Sequence, residues 1–305
     1  MAERMAELDG IEIAYETFGD PADPTLLLIM GLGMQMLGWD EELCGMLAER
    51  GFQVVRFDNR DAGRSTLFEG GPRADVMAAA GGDFSSKSYT LDEMAGDCAA
   101  LLDHLRVDSA HVVGASQGGM IGQALAIGHP ERVLSFTSIM STTGDRSLGQ
   151  PHPEAIPILL ERPPADRDGF AEFVVRAWRV IGSRGFEADE EALRARGRAS
   201  FDRGIHPPGT ARQLVAILAS GDRTERLREL EVPALVIHGT EDPLIDVSGG
   251  RATAAAIPGA ELVLIEGMGH DLPRPLWPRL VDLIARNAER VKAGSHATRT
   301  SATTQ

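Results

Sequence analysis

Residues 111–119 read His-Val-Val-Gly-Ala-Ser-Gln-Gly-Gly. A β-branched run stops at a Gly-x-Ser-x-Gly group (Gly114, Ser116, Gly118) and continues into a helical pattern. Such a sequence has few ways to fold. A strand that turns straight into a helix brings the residues two before and two after the central serine across the turn from each other, and only small side chains fit there. The reading is therefore a strand over residues 111–115, a helix over 119–128, and a serine on a strained backbone with its hydroxyl projecting out of a sheet.

The surrounding pattern supplies that sheet. Asp9-Gly10 between two alternating runs predicts a hairpin turn into a strand over residues 11–17. Further strands are expected at residues 26–30, 53–57, 133–139, 234–238 and 261–265. Helical spacing falls between them at 39–50 and 91–105, the latter opened by a Thr90-x-x-Glu93 capping box, and again at 277–290. Strands alternating with helices give an α/β domain whose sheet is mostly parallel and covered on both faces. Ligands on such sheets bind at the carboxyl ends of the strands. Residues 145–228 break the pattern. They hold no convincing strand, open with five prolines from Pro151 to Pro164, and show helical stretches at 170–181 and 190–201. The expected organisation is a core of residues 1–144 and 229–290, a helical lid of residues 145–228, and a small, polar, flexible tail at 291–305.

A serine hydroxyl is a weak nucleophile near neutral pH and needs a base, and the base needs an anchor. Strand 234–238 is followed by Gly-Thr-Glu-Asp242-Pro, and strand 261–265 by Glu-Gly-Met-Gly-His270. We assign Ser116 as nucleophile, His270 as general base and acid, and Asp242 as the orienting acid. Glu241 is expected to point away, and Asp145, after strand 133–139, is the rival position for the acid. His238 reads as a packing residue. The oxyanion needs two backbone donors. Gln117, just after the nucleophile, is one. Leu32, between Gly31 and Gly33 in the loop after strand 26–30, is the other. Gly31, Gly33, Met34, Met36, Met140, Phe173, Trp178, Leu244 and Met268 are candidates to line an apolar substrate pocket. The charged run Asp58–Ser65 reads as a hydrogen-bonded turn that braces the elbow.

A chain of 305 residues with 43% hydrophobic and 25% charged residues has enough apolar side chain for one large domain with an insertion. Its net charge of −15 disfavours nucleic acid and anionic membrane surfaces as partners. No apolar run approaches a membrane span, and the acidic start lacks a secretory core. Cys44 and Cys98 lie in apolar helical patterns with no paired or zinc-type spacing. The expectations are a cytoplasmic location, no metal and no cofactor, a monomer or homodimer, and a small-molecule ester as partner.

These motifs together resemble the α/β-hydrolase superfamily across residues 5–288, and within it the serine-esterase branch of the aclacinomycin methylesterases. The likeness rests on Phe18-Gly-Asp-Pro-Ala-Asp-Pro24, Leu26-Leu-Leu-Ile-Met-Gly31, Gly38-Trp39, Arg60-Asp-x-Gly-Arg-Ser-Thr66, Ala110-His-Val-Val-Gly114 and Glu266-Gly-Met-Gly-His270. Met30 stands before the oxyanion glycine, where most of the superfamily has His and those esterases have Met. Gln117 departs from their Met, and the insertion at 145–228 differs. The resemblance implies the α/β-hydrolase fold, with an eight-stranded sheet flanked by helices and a helical cap, and ester hydrolysis through an acyl-enzyme. The same fold also serves lactonases, C–C bond hydrolases and cofactor-free perhydrolases (haloperoxidases). A non-catalytic ligand receptor is the alternative of another class.

Overall fold

A computed structural model describes the backbone of residues 2–301, and their side chains except at Leu160 and residues 292–301. In chain order the core begins with β1 (Arg4–Glu7), β2 (Glu12–Phe18), β3 (Thr25–Ile29), α1 (Glu41–Ala48), β4 (Gln53–Phe57), α2 (Val76–Ala80), α3 (Leu91–His104), β5 (Ala110–Ala115), α4 (Gln117–Gly128) and β6 (Val133–Ile139). A helical stretch follows: α5 (Ile156–Leu160), α6 (Arg167–Ile181), α7 (Glu190–Arg203), α8 (Pro207–Ser220) and α9 (Thr224–Leu227). The chain returns through β7 (Ala234–Gly239), α10 (Val247–Ala256), β8 (Glu261–Ile265) and α11 (Trp277–Ser301).

The eight strands form one sheet in the order β1-β2-β4-β3-β5-β6-β7-β8. β1 pairs antiparallel with β2 through the hairpin at Asp9-Gly10, and β2 pairs antiparallel with β4. Every later pairing is parallel. The apolar side chains divide by the period of two that a pleated strand imposes. Leu27, Ile29 and Val112 enter a core layer with α3 and α4, whereas Leu26, Leu28, Val113 and Ala115 enter a second layer with α1 and α11. This double-sided burial explains why β3 is apolar at every position after Thr25.

Local signals set several boundaries. Both arms of the Thr90–Glu93 capping box are made at the start of α3. Asp40, Asp166, Asp189 and Asp246 cap α1, α6, α7 and α10 through their carboxylates. α8 went unread in the sequence. Its Pro207-Pro208 opening resembles a loop, but proline in the first turn costs a helix no hydrogen bond. α11 continues past Val291, where the sequence reading began a tail. Residues 302–305 lie outside the described residues, as do the side chains of 292–301. No helix among the described residues is long and apolar enough to cross a membrane.

Candidate active site

Ser116 sits between β5 and α4 with φ 56° and ψ −121°, a left-handed backbone that non-glycine residues rarely adopt. The reason the elbow needs glycines is visible in its contacts. A Cβ on Gly114 would stand 2.1 Å from the Gly118 carbonyl oxygen, and one on Gly118 would stand 2.0 Å from the Ile29 carbonyl oxygen. The turn is held from outside by the Ser141 hydroxyl, which donates to the Ser116 carbonyl at 2.7 Å.

Three loops from distant parts of the chain meet at this serine. Ser116 Oγ lies 3.0 Å from His270 Nε2, and His270 Nδ1 lies 2.8 Å from Asp242 Oδ2. A carboxylate can only accept here, so the Nδ1–H of His270 donates to it and the Nε2 lone pair faces the serine. The other Asp242 oxygen accepts the Leu244 and Ile245 amides, each at 2.9 Å. His238 lies beneath, fully buried, donating from Nε2 to the Ile245 carbonyl at 2.8 Å and standing 3.5 Å from Asp242 Oδ2. Burial pushes the Asp242 carboxyl up, but its electrostatic interaction with His270, the hydrogen bond from His270 and the nearby His238 outweigh it and hold the group well below the ordinary carboxylate range. The Ile181 carbonyl, at the end of α6, accepts the His270 amide at 2.7 Å.

The rival acids lie elsewhere. Glu241 is exposed. Asp145 caps its own turn, accepting the Ser147 amide and hydroxyl.

In the loop after β3, Gly31 adjoins the nucleophile so closely that a Cβ there would lie 3.1 Å from Ser116 Cβ. Gly33 adopts φ 65° and donates its amide to Gln213 Oε1 at 2.8 Å. The Met34 amide donates to the Gly31 carbonyl at 3.2 Å. Among the described residues the Leu32 and Gln117 amides donate to no other group. The Gln117 side chain turns toward α3, with Nε2 3.8 Å from Met94 Sδ.

The pocket candidates scatter. Met34 packs beside the α1–α11 layer, Met140 and Met268 are buried within it, and Met36 is fully buried in the loop after β3. Leu244 stays in the acid loop, half-buried. Phe173 and Trp178 lie on α6. Phe173 packs against Phe170 and under the Arg176 guanidinium, and Trp178 packs under that of Arg196.

The Asp58–Ser65 turn braces the loop after β3 rather than the elbow. Asn59 Nδ2 donates to the Met30 carbonyl at 2.9 Å, and Asp58 Oδ1 accepts the Met36 amide at 2.7 Å. Sheet order is the cause: β4 lies beside β3, and β3 separates it from β5. Sequence reasoning missed Gln213 and Ser141. The signal for Gln213 was a polar residue inside the buried stripe Gly209, Gln213, Ala216 of α8. Nothing in the sequence marked Ser141 apart from its place after β6.

No cluster of three or more His, Cys, Asp or Glu among the described residues is placed to hold a metal ion.

The family of the alpha/beta hydrolase fold matches residues 24–273. The chain belongs to that family. Two relatives are the rhodomycin D methylesterases DauP of Streptomyces sp. (strain C5) and DnrP of Streptomyces peucetius. Each is 33% identical over 90% of this chain and 93% of its own. The fold of the enol-lactonase from Burkholderia xenovorans LB400 superimposes with a TM-score of 0.70, at 24% identity, over 95% of this chain and all of that one.

Proposed function

We propose that this chain is a serine carboxylic ester hydrolase acting on a small to medium apolar ester through an acyl-enzyme. The observation that carries the proposal is the Ser116–His270–Asp242 hydrogen-bonded series, with Ser116 on a left-handed backbone. As His270 Nε2 takes its proton, Ser116 Oγ attacks the carbonyl carbon. The Leu32 and Gln117 amides stabilise the resulting oxyanion; each such donor typically contributes about 10²–10³ in rate. Collapse breaks the bond to the alcohol oxygen, which leaves with the proton from His270. Water, deprotonated by the same nitrogen, then attacks the acyl carbon; the bond to Ser116 Oγ breaks, Oγ takes that proton back from His270, and the acid is released. Side chains and amides of one chain supply every step, without a cofactor, so a monomer or a homodimer suffices.

The two rhodomycin D methylesterase relatives support a methyl ester as the form of substrate. The helical stretch 145–228 acts as a cap. Support for this comes from the contacts of α6 with the His270 loop and of α8 with the loop after β3. The buried free thiols Cys44 and Cys98 suit a reducing, cytoplasmic setting.

The test is hydrolysis of p-nitrophenyl acetate through octanoate, and of methyl esters in a pH-stat, by the wild type and Ser116→Ala. Intact-mass readout of fluorophosphonate labelling accompanies it. Turnover and a single adduct, both lost in the variant, are expected. A folded wild type with neither would point to a ligand receptor.

A further inference from the structure

The loop that carries Leu32 is held partly from within and partly from α8. Of the amides of Leu32, Gly33 and Met34, that of Met34 closes a turn on the Gly31 carbonyl, and that of Gly33 is taken by Gln213 of α8. Gln213 has no exposure to solvent. Its Nε2 donates to the Arg60 carbonyl at 2.7 Å while its Oε1 accepts from Gly33. The Arg60 carbonyl can only accept and the Gly33 amide can only donate, so both ends of the side-chain amide are fixed. One side chain from the insertion thus ties the loop after β3 to the loop after β4.

The surroundings make this tie rigid. Thr210, three residues before Gln213, closes over Gly33, where a Cβ would come within 2.6 Å of its hydroxyl. Gly209 abuts the Asp61 backbone, where a Cβ would come within 2.4 Å of the carbonyl oxygen. Arg212 grips the Asp61 carboxylate with two hydrogen bonds of 2.8 and 2.6 Å. Four residues of α8 therefore dock on the two loops, and of these four Gln213 is the one that hydrogen-bonds the loop beside Ser116.

We infer that Gln213 is a positioning residue for the oxyanion site. By occupying the Gly33 amide it fixes the peptide orientation that leaves the Leu32 amide free to meet the oxyanion. The site is then complete only when α8 is docked. This rests on the ester-hydrolase reading above. Gln213 is closed off from solvent and bonds Gly33 and Arg60 rather than Ser116; its effect passes through the loop, and it belongs to transition-state stabilisation rather than to substrate binding.

The test compares wild type, Gln213→Met, which keeps the shape and loses both hydrogen bonds, and Gln213→Glu, which in the neutral form that burial favours keeps an acceptor facing Gly33 and an O–H donor facing the Arg60 carbonyl. With p-nitrophenyl acetate, Gln213→Met is expected to lower kcat by about 10²-fold, the scale of a lost oxyanion donor, with KM within about threefold. Gln213→Glu is expected to retain most of kcat. Affinity for an alkyl trifluoromethyl ketone, which adds Ser116 Oγ to form a tetrahedral oxyanion, is expected to fall in step with kcat. Competitive inhibition by the carboxylic acid product is expected to stay unchanged. Should the Met variant fail to fold, Gln213→Asn is too short to span both partners and carries the same expected sign. Wild-type kcat in a folded Met or Asn variant overturns the inference alone. So does a kcat loss without a matching loss of ketone affinity. A wild type with no Ser116-dependent turnover overturns the esterase reading, and this inference with it.

Discussion

His270 Nδ1 stands 2.8 Å from Asp242 Oδ2, with the histidine 7% and the aspartate 1% exposed. A buried carboxylate holding an imidazole in one tautomer is worth far more than its hydrogen bond, because the opposite tautomer puts a proton where the serine needs a base. Asp242→Asn preserves the shape and is expected to lower kcat by about 10⁴, with KM nearly unchanged. Steady-state kinetics on p-nitrophenyl butyrate checks this; a loss under tenfold would transfer the orienting role to another acid.

The same pair ties stability to pH. The Asp242 carboxyl is held well below its ordinary range in the folded chain, so the unfolded chain binds this proton more readily. Its stabilising contribution is complete above the unfolded value of about 3.9 and is lost as pH falls from there toward the folded value. Urea unfolding of wild type and Asp242→Asn at a series of pH values is expected to give a gap that is constant from pH 7 to about 5 and narrows below about pH 4. A gap that widened on acidification would contradict the assigned direction.

Ser116 keeps a left-handed backbone with a Cβ attached. Such strain costs about 1–3 kcal/mol. Ser116→Ala retains the Cβ and the strain; Ser116→Gly releases it. Both variants are expected to lose turnover, by about 10⁶ in kcat. The Gly variant is expected to unfold at higher urea than the Ala variant, by about 1 kcal/mol. Equal or lower stability of the Gly variant would show that the elbow is relaxed.

Cys44 and Cys98 are buried and free. Burial pushes the Cys44 thiol up to about 12 and raises Cys98 as well. Thiolate is the reactive form, so both are inert in the folded chain. Iodoacetamide at pH 8 is expected to add nothing to the native protein and two groups per chain in concentrated urea, counted by intact mass. One rapid adduct on the native chain would mean that one of the two helices opens locally.

Much of this was legible because it depends on neighbours in sequence. The strand β4 at Gln53–Phe57, the capping box at Thr90 and the elbow at Ser116 all follow from short-range spacing. The order of Ser116, Asp242 and His270 was readable because each follows a strand, and parallel strands deliver their carboxyl ends to one edge. The pocket residues were less so: Phe173 and Met268 carry the right chemistry, but composition does not say whether an apolar side chain faces a substrate or a core.

The sequence by itself determined which residues could do chemistry, since a nucleophile elbow, an acid loop and a histidine loop are local patterns with local causes. The tertiary structure alone decided what holds them. Ser141 on the Ser116 carbonyl, Asn59 on the Met30 carbonyl and Gln213 on the Gly33 amide join residues 25, 29 and 180 positions apart. Such partners leave no periodic trace, because a hydrogen bond between two loops depends on strand order and helix docking, which only the folded sheet fixes.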